Sequence, residues 1–166
     1  MSDQEYKLIF PGVIPATQEA FKGGESVDPV IRRKERKCVT SFKETVSTYI
    51  NYDKPSNLFP TDSHLYVAII QFYTSEKKDY KRRDVDNMAK TVLDVLNQGG
   101  LYKDDSQVRT LLVSKIVDLK KINQNLGFIY IKILNDGEDM IFAKDLIGQA
   151  VELYGDLKER NVQIKE

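Results

Sequence analysis

At 166 residues with 41% apolar content, the chain can bury one core, and a single domain is expected. Its 25 basic and 25 acidic side chains cancel, which as a whole-chain figure argues against a DNA-binding protein, and its longest greasy run, Leu65 to Tyr73, is far too short to span a bilayer. Cys38 is the only cysteine, so no intrachain disulfide is possible and a reducing cytoplasmic setting is expected; no basic segment followed by an apolar core suggests a secretory leader.

In chain order, Tyr6 to Phe10 reads as a first strand ended by Pro11-Gly12, and Pro11 to Pro29 as a long mobile loop, of a length that is usually functional or disordered. A helix is expected from about Arg32 to Asn51, with Ile31, Val39, Phe42, Val46 and Ile50 on its buried side, and Pro55 and Pro60 in the linker after it. His64 to Tyr73 is the strongest strand signal, rich in β-branched and aromatic residues. Thr74 to Arg83 is a polar, basic connection. A second helix follows, with Val85, Met88, Ala89, Val92, Val95 and Leu96 at helical intervals and Gly99-Gly100 ending it. Strands are expected around Gln107 to Leu119 and Leu126 to Leu134, with a turn at Asn123-Gln124-Asn125. Leu146, Ile147, Ala150, Val151, Tyr154 and Leu157 then predict a last helix over Met140 to Arg160, covering the chain's own core. The order β-α-β-α-β-β-α describes an α+β fold, a small mixed sheet with helices packed against it.

The chemistry concentrates in Arg82-Arg83-Asp84-Val85-Asp86-Asn87-Met88-Ala89-Lys90 and in Leu101-Tyr102-Lys103-Asp104-Asp105. Crowded carboxylates raise one another's pKa unless a cation neutralises them, and hard oxygen ligands favour Mg²⁺, or Mn²⁺ as a substitute, over zinc. Asp84 and Asp86 fall at the start of the helix, and Lys90, four residues after Asp86, shares its face. If Asp104-Asp105 is already extended, only one of the two faces Asp84 and Asp86, and Asp105 is taken as that ligand, with Asp104 turned away. Asn87 and Asp94 are placed around the site without touching the metal. A helix-capping role for Asp84 and Asp86 leaves Lys90, Asp104, Asp105 and the arginines unexplained. An EF-hand-like loop from Asp84 fails because Met88 and Ala89 occupy a ligand position and the position that wants Gly.

Together, Arg83-Asp84-x-Asp86-Asn87-x-x-Lys90, Asp94 and an aromatic two residues before Asp104-Asp105, with Gln107-Val108 after it, resemble the RusA family of Holliday-junction resolvases. The resemblance is strongest from Arg82 to Val108 and extends in layout from Tyr6 to Leu134. It implies a RusA-like endonuclease domain over 1–135, with 136–166 a helical extension packed on it. It also implies a homodimeric, Mg²⁺-dependent endonuclease, bacterial or prophage-encoded, that cuts four-way DNA junctions by paired symmetric incisions. Carried over by position, Asp84, Asp86 and Asp105 are the metal-binding carboxylates and Lys90 the essential lysine. Two departures stand out: Ala16-Thr17-Gln18 lacks the Asn or basic residues expected after the Pro-rich opening, and the chain runs past Leu134, where a minimal member would end.

Charge distribution agrees with a DNA substrate. Residues 136–166 hold 8 acidic and 4 basic side chains, so the rest of the chain has a basic excess. Arg32, Arg33, Lys77, Lys78, Lys81, Arg82 and Arg83 are the candidate phosphate contacts. The competing classes are a flap or branch nuclease of the same fold, a non-catalytic junction-binding protein and an Asp-x-Asp glycosyltransferase, for which the chain is short. A Cys38–His64 nucleophilic pair is set aside in favour of buried or inert roles for each.

Overall fold

The computed structural model describes residues 4–15, 29–76, 78–117 and 123–134, with side chains in the first helix described from 37 onward. Its elements are β1 (Glu5–Pro11), α1 (Pro29–Asp53), β2 (Leu65–Tyr73), α2 (Lys78–Arg82), α3 (Val85–Gln98), β3 (Val108–Val117) and β4 (Leu126–Ile133). A single 3₁₀ turn, Asp105–Gln107, precedes β3. The expected α+β architecture is present. The helix expected over Met140 to Arg160, and with it the 136–166 extension, lies outside the described residues.

The four strands form one mixed sheet in the order β1-β4-β2-β3. β4 lies antiparallel to both neighbours, whereas β2 and β3 run parallel, Val67 opposite Leu111 and Tyr73 opposite Val117. Parallel neighbours need a crossover, and α2 and α3 supply it. β2 is buried along its whole length, as expected of a central strand. Its alternating side chains therefore enter two cores. Leu65, Val67 and Ile69 join Leu8, Phe10, Ile129 and Ile131 beneath Val46 and Ile50 of α1 and Met88, Val92, Val95 and Leu96 of α3. Tyr66, Ala68, Ile70 and Phe72 pack with Leu126, Phe128 and Tyr130 on the opposite face. Burying each such α3 side chain contributes about 1.5–3 kcal/mol.

Two local expectations are corrected. Helix α1 starts at Pro29 rather than Arg32, since proline is well suited to a first helical position. The connection from Thr74 to Arg83 contains the five-residue helix α2, which its polar composition concealed. Gln71, which interrupts the apolar run of β2, is fully buried. Its Oε1 accepts from Ile14 N–H at 2.8 Å, and its Nε2 donates to the carbonyls of Gly12, Phe72 and Leu126 at 3.0–3.1 Å. It thus fastens the chain after β1 to the sheet.

At Gly127 the Phe10 ring occupies the place where a Cβ would sit, so β1 and β4 pack there only over a glycine. Gly100, at φ +67°, turns the chain out of α3, a conformation that L side chains rarely adopt.

Candidate functional site

Asp84 is the N-cap residue of α3. Its carbonyl accepts from Met88 N–H at 3.1 Å, but its side chain makes no capping bond. Capping therefore accounts for the backbone of Asp84 and not for its carboxylate, which is exposed like those of Asp86 and Asp105. Asp86 stands in the first turn, where its charge complements the helix dipole. Asn87, buried behind it, places Nδ2 3.4 Å from Asp86 Oδ1. Lys90 is exposed one turn further along, and among the described residues no ion pair closes between it and Asp86.

The approach to Asp84 is fixed from β3. Lys115 Nζ donates to the carbonyls of Tyr80 and Arg83, both at 2.8 Å, and sits 4.3 Å from the centroid of the Tyr80 ring. Tyr80 meets Tyr73 edge-on at 5.3 Å. No local pattern marks Lys115, because its partners lie 35 and 32 residues away.

The far end of α3 is stitched more densely. Lys54, just beyond α1, donates to the carbonyls of Gly99 and Gly100 at 2.7 and 3.3 Å, placing a cation at the negative end of the helix. The expectation that Asp104-Asp105 is extended holds for Asp104, whose backbone is extended at φ −147° and ψ 143°, and is corrected for Asp105, which lies within the 3₁₀ turn that Asp104 caps. A capping box outcompetes the extended backbone here. Asp104 Oδ1 accepts from Ser106 N–H at 2.8 Å, and Gln107 Oε1 accepts from the N–H groups of Lys103 and Asp104 at 2.7 and 3.0 Å. Gln107 Nε2 donates to Thr61 and Ser63 carbonyls at 2.8 and 3.1 Å. The bond from Ser106 holds Asp104 below the usual carboxylate range. The Asp-x-x-Gln spacing was the signal that announced this turn.

Tyr102, the aromatic residue that precedes Asp104-Asp105 in the motif, takes a place that the sequence did not specify. Its ring is buried and its hydroxyl donates to the Leu93 carbonyl at 2.8 Å. Burial, then the adjacent Asp105 carboxylate and the more distant Asp94, push its pKa well above the ordinary tyrosine value. Asp94, Asn97, Gln98, Lys103, Asp104 and Asp105 line a groove of about 320 Å³, so Asp94 belongs to the same acidic edge as Asp105. It also pairs with Lys43 of α1 at 3.5 Å, tying the two helices together.

Asp105 is therefore carried beside the last turns of α3, while Asp84 and Asp86 open the first. At 1.5 Å per residue, Asp84 and Asp94 are ~15 Å apart along the axis. Among the described residues, no three His, Cys, Asp or Glu side chains are grouped closely enough to hold a metal ion. The donor chemistry, hard and exposed carboxylate oxygens, fits Mg²⁺ or Mn²⁺; the described residues do not gather it into a single shell.

Of the proposed phosphate contacts, Lys81 and Arg82 are exposed. Arg83 is largely buried and binds Asp79 at 2.6 Å, one turn back on α2. The side chains of Arg32, Arg33 and Lys78, and all of Lys77, lie outside what the structure describes. Cys38 and His64 are both exposed and are not paired with each other; His64 Nε2 lies 3.0 Å from Arg109. No described helix is long and apolar enough to cross a membrane.

A small mixed sheet backed by helices, with aspartates at both ends of its crossover helix, defines an α+β domain with two separated acidic edges. The model of the family "Endodeoxyribonuclease RusA" matches residues 13–133, a span that takes in both edges and most of the chain. The chain belongs to this family, and with membership comes the class of a phosphodiester hydrolase, an endonuclease of Holliday junctions. A comparison with curated proteins returned no match.

Proposed function

We propose that this protein is a Mg²⁺-dependent, homodimeric endonuclease that resolves four-way DNA junctions by paired symmetric cuts. The observation that carries the reading is the family match over 13–133, which includes every acid named in the motif. Asp84, Asp86 and Asp105 would hold the metal. Bound there, Mg²⁺ would supply a Lewis acid for the scissile phosphate and a water of lowered pKa. Lys90 would contribute positive charge where negative charge develops in the transition state. Lys81 and Arg82 would anchor the phosphate backbone.

The separation of the two acidic edges in one protomer favours a dimer for a reason beyond substrate symmetry. A second copy offers its Asp105 edge to the first copy's Asp84 edge, and two-fold symmetry repeats the arrangement. Apolar side chains of the sheet are less suited to such an interface: Ile69 and Phe72 are buried within the protomer, and Val113 is half-buried.

The test is incubation with a synthetic four-way junction, a flap and a plain duplex, with Mg²⁺ or with EDTA. Paired incisions confined to the junction and dependent on Mg²⁺ are expected. Equal cutting of the flap would replace the resolvase by a general branch nuclease. Mixed dimers sharpen the assembly: if the site is shared, one Asp86→Asn subunit paired with one Asp105→Asn subunit keeps one intact site and nicks junctions. If each subunit is self-sufficient, that pair is dead.

A further inference from the structure

We propose that Lys115 is a positioning residue for the aspartates that open α3. The inference rests on the site assignment above and adds a residue on β3, outside the sequence motif. Its ammonium group spans two carbonyls, those of Tyr80 and Arg83, each at 2.8 Å. The Arg83 carbonyl belongs to the peptide unit that joins Arg83 to Asp84, so its direction sets where the Asp84 backbone begins. Asp84 itself adds no capping bond that would set its orientation independently. The short helix α2 is held to the sheet by the contact of Tyr80 with Tyr73 of β2 and by this lysine of β3.

The geometry has a further consequence. Lys115 lies on the strand that the Asp105 turn leads into, since β3 begins at Val108 directly after the Asp105–Gln107 turn. A single rigid strand thus carries the Asp105 turn at its start and restrains the approach to Asp84 near its end. A neutral side chain of similar length would leave both carbonyls without their charged donor, and the segment before Asp84 would lose its link to β3. Displacement of a reacting group by about 1 Å costs on the order of 10²-fold in rate.

The experiment compares Lys115→Met, Lys115→Arg and Asp84→Asn in the full-length protein, each checked for folding by thermal melting. Three quantities are read: kcat and KM on a synthetic four-way junction with Mg²⁺, junction affinity in EDTA, and Mn²⁺ binding by titration calorimetry without DNA. Lys115→Met is expected to lower kcat on the order of 10²-fold with KM and junction affinity nearly unchanged, and to weaken Mn²⁺ binding. Lys115→Arg, which retains charged donors, should recover most of both losses. A folded Lys115→Met protein with unchanged kcat and Mn²⁺ affinity, beside an inactive Asp84→Asn, overturns the role of Lys115 alone. A fall in junction affinity matching the fall in cutting also overturns it, since that marks a DNA contact. Full activity in Asp84→Asn overturns the site assignment and this role with it. Should Lys115→Met not fold, the same quantities measured on Lys115→Gln decide between these outcomes.

Discussion

At its N-terminal end, α3 takes only a backbone carbonyl from Asp84 and leaves the carboxylates of Asp84 and Asp86 exposed. At its C-terminal end, the Asp104 carboxylate is engaged by Ser106, two carbonyls are tied off by Lys54, and Asp105 emerges from a turn whose backbone Gln107 secures. Each end also has one buried glutamine: Gln71 holds the loop beside the first, and Gln107 holds the turn at the second. Acidic residues of the same type therefore do different work within 22 positions of sequence, Asp84 to Asp105, and only their partners tell them apart.

The largest expected effect separates carboxylates that the fold uses from those it leaves exposed. Asp84→Asn, Asp86→Asn and Asp105→Asn should each lower junction cleavage by about 10³-fold or more, with junction binding in EDTA largely retained. Asp104→Asn, whose amide oxygen can still accept from Ser106, should cut at close to the normal rate. Equal losses at all four positions in single-turnover assays would abolish the distinction.

The glutamines test whether the two ends can be perturbed separately. Gln107→Leu and Gln71→Leu should each destabilise the fold by about 2–4 kcal/mol, because each strands several buried backbone groups. Denaturant unfolding measures that loss. Only Gln107→Leu should lower the cleavage rate further, under conditions where both variants remain folded, because it frees the turn that carries Asp105.

The smallest effect concerns Tyr102 and alkaline pH. A tyrosine whose folded-state pKa lies above its unfolded value of 10.0 supports the fold fully below pH ~10, and that support drains away as pH rises further. Tyr6, which burial and then Asp53 push up to about 12, adds to the same loss. Tyr102→Phe should therefore cost about 1 kcal/mol at neutral pH for the lost hydrogen bond to Leu93, yet show a shallower decline above pH 10. A parallel decline in both proteins, followed by thermal melting, would show that Tyr102 ionises freely.

Much of this was legible in the residues, for identifiable reasons. The stripe from Val85 to Leu96 and the glycines after it announced α3, because a long amphipathic period outweighs local ambiguity. The Leu65 to Tyr73 run announced the central strand in the same way. Asp105 was misread because alternation was applied to a segment where Asp-x-x-Gln closes a capping box. Helix α2 escaped notice because its five polar residues carry no period, and Lys115, Tyr80 and Tyr73 hold it through contacts remote in sequence. The separation of Asp105 from Asp84 and Asp86 was invisible for a related reason. An interval of 19 residues between Asp86 and Asp105 is compatible with a shared cluster, and only the crossover geometry of parallel β2 and β3 carries them to different ends of a helix.

The pairing of β1 with β4 has a consequence for how the molecule comes into being. Glu5 stands opposite Lys132, and Tyr130 donates from its hydroxyl to Glu5 Oε1 at 2.6 Å, across 125 positions of sequence. During synthesis at roughly 5–20 residues per second, a newly made β1 waits several seconds or more for its partner strand. Until β4 leaves the ribosome, β2 lacks its antiparallel neighbour and one edge of the sheet is unmatched. Such long-range closure slows folding, and it makes the first strand among the last to find its place.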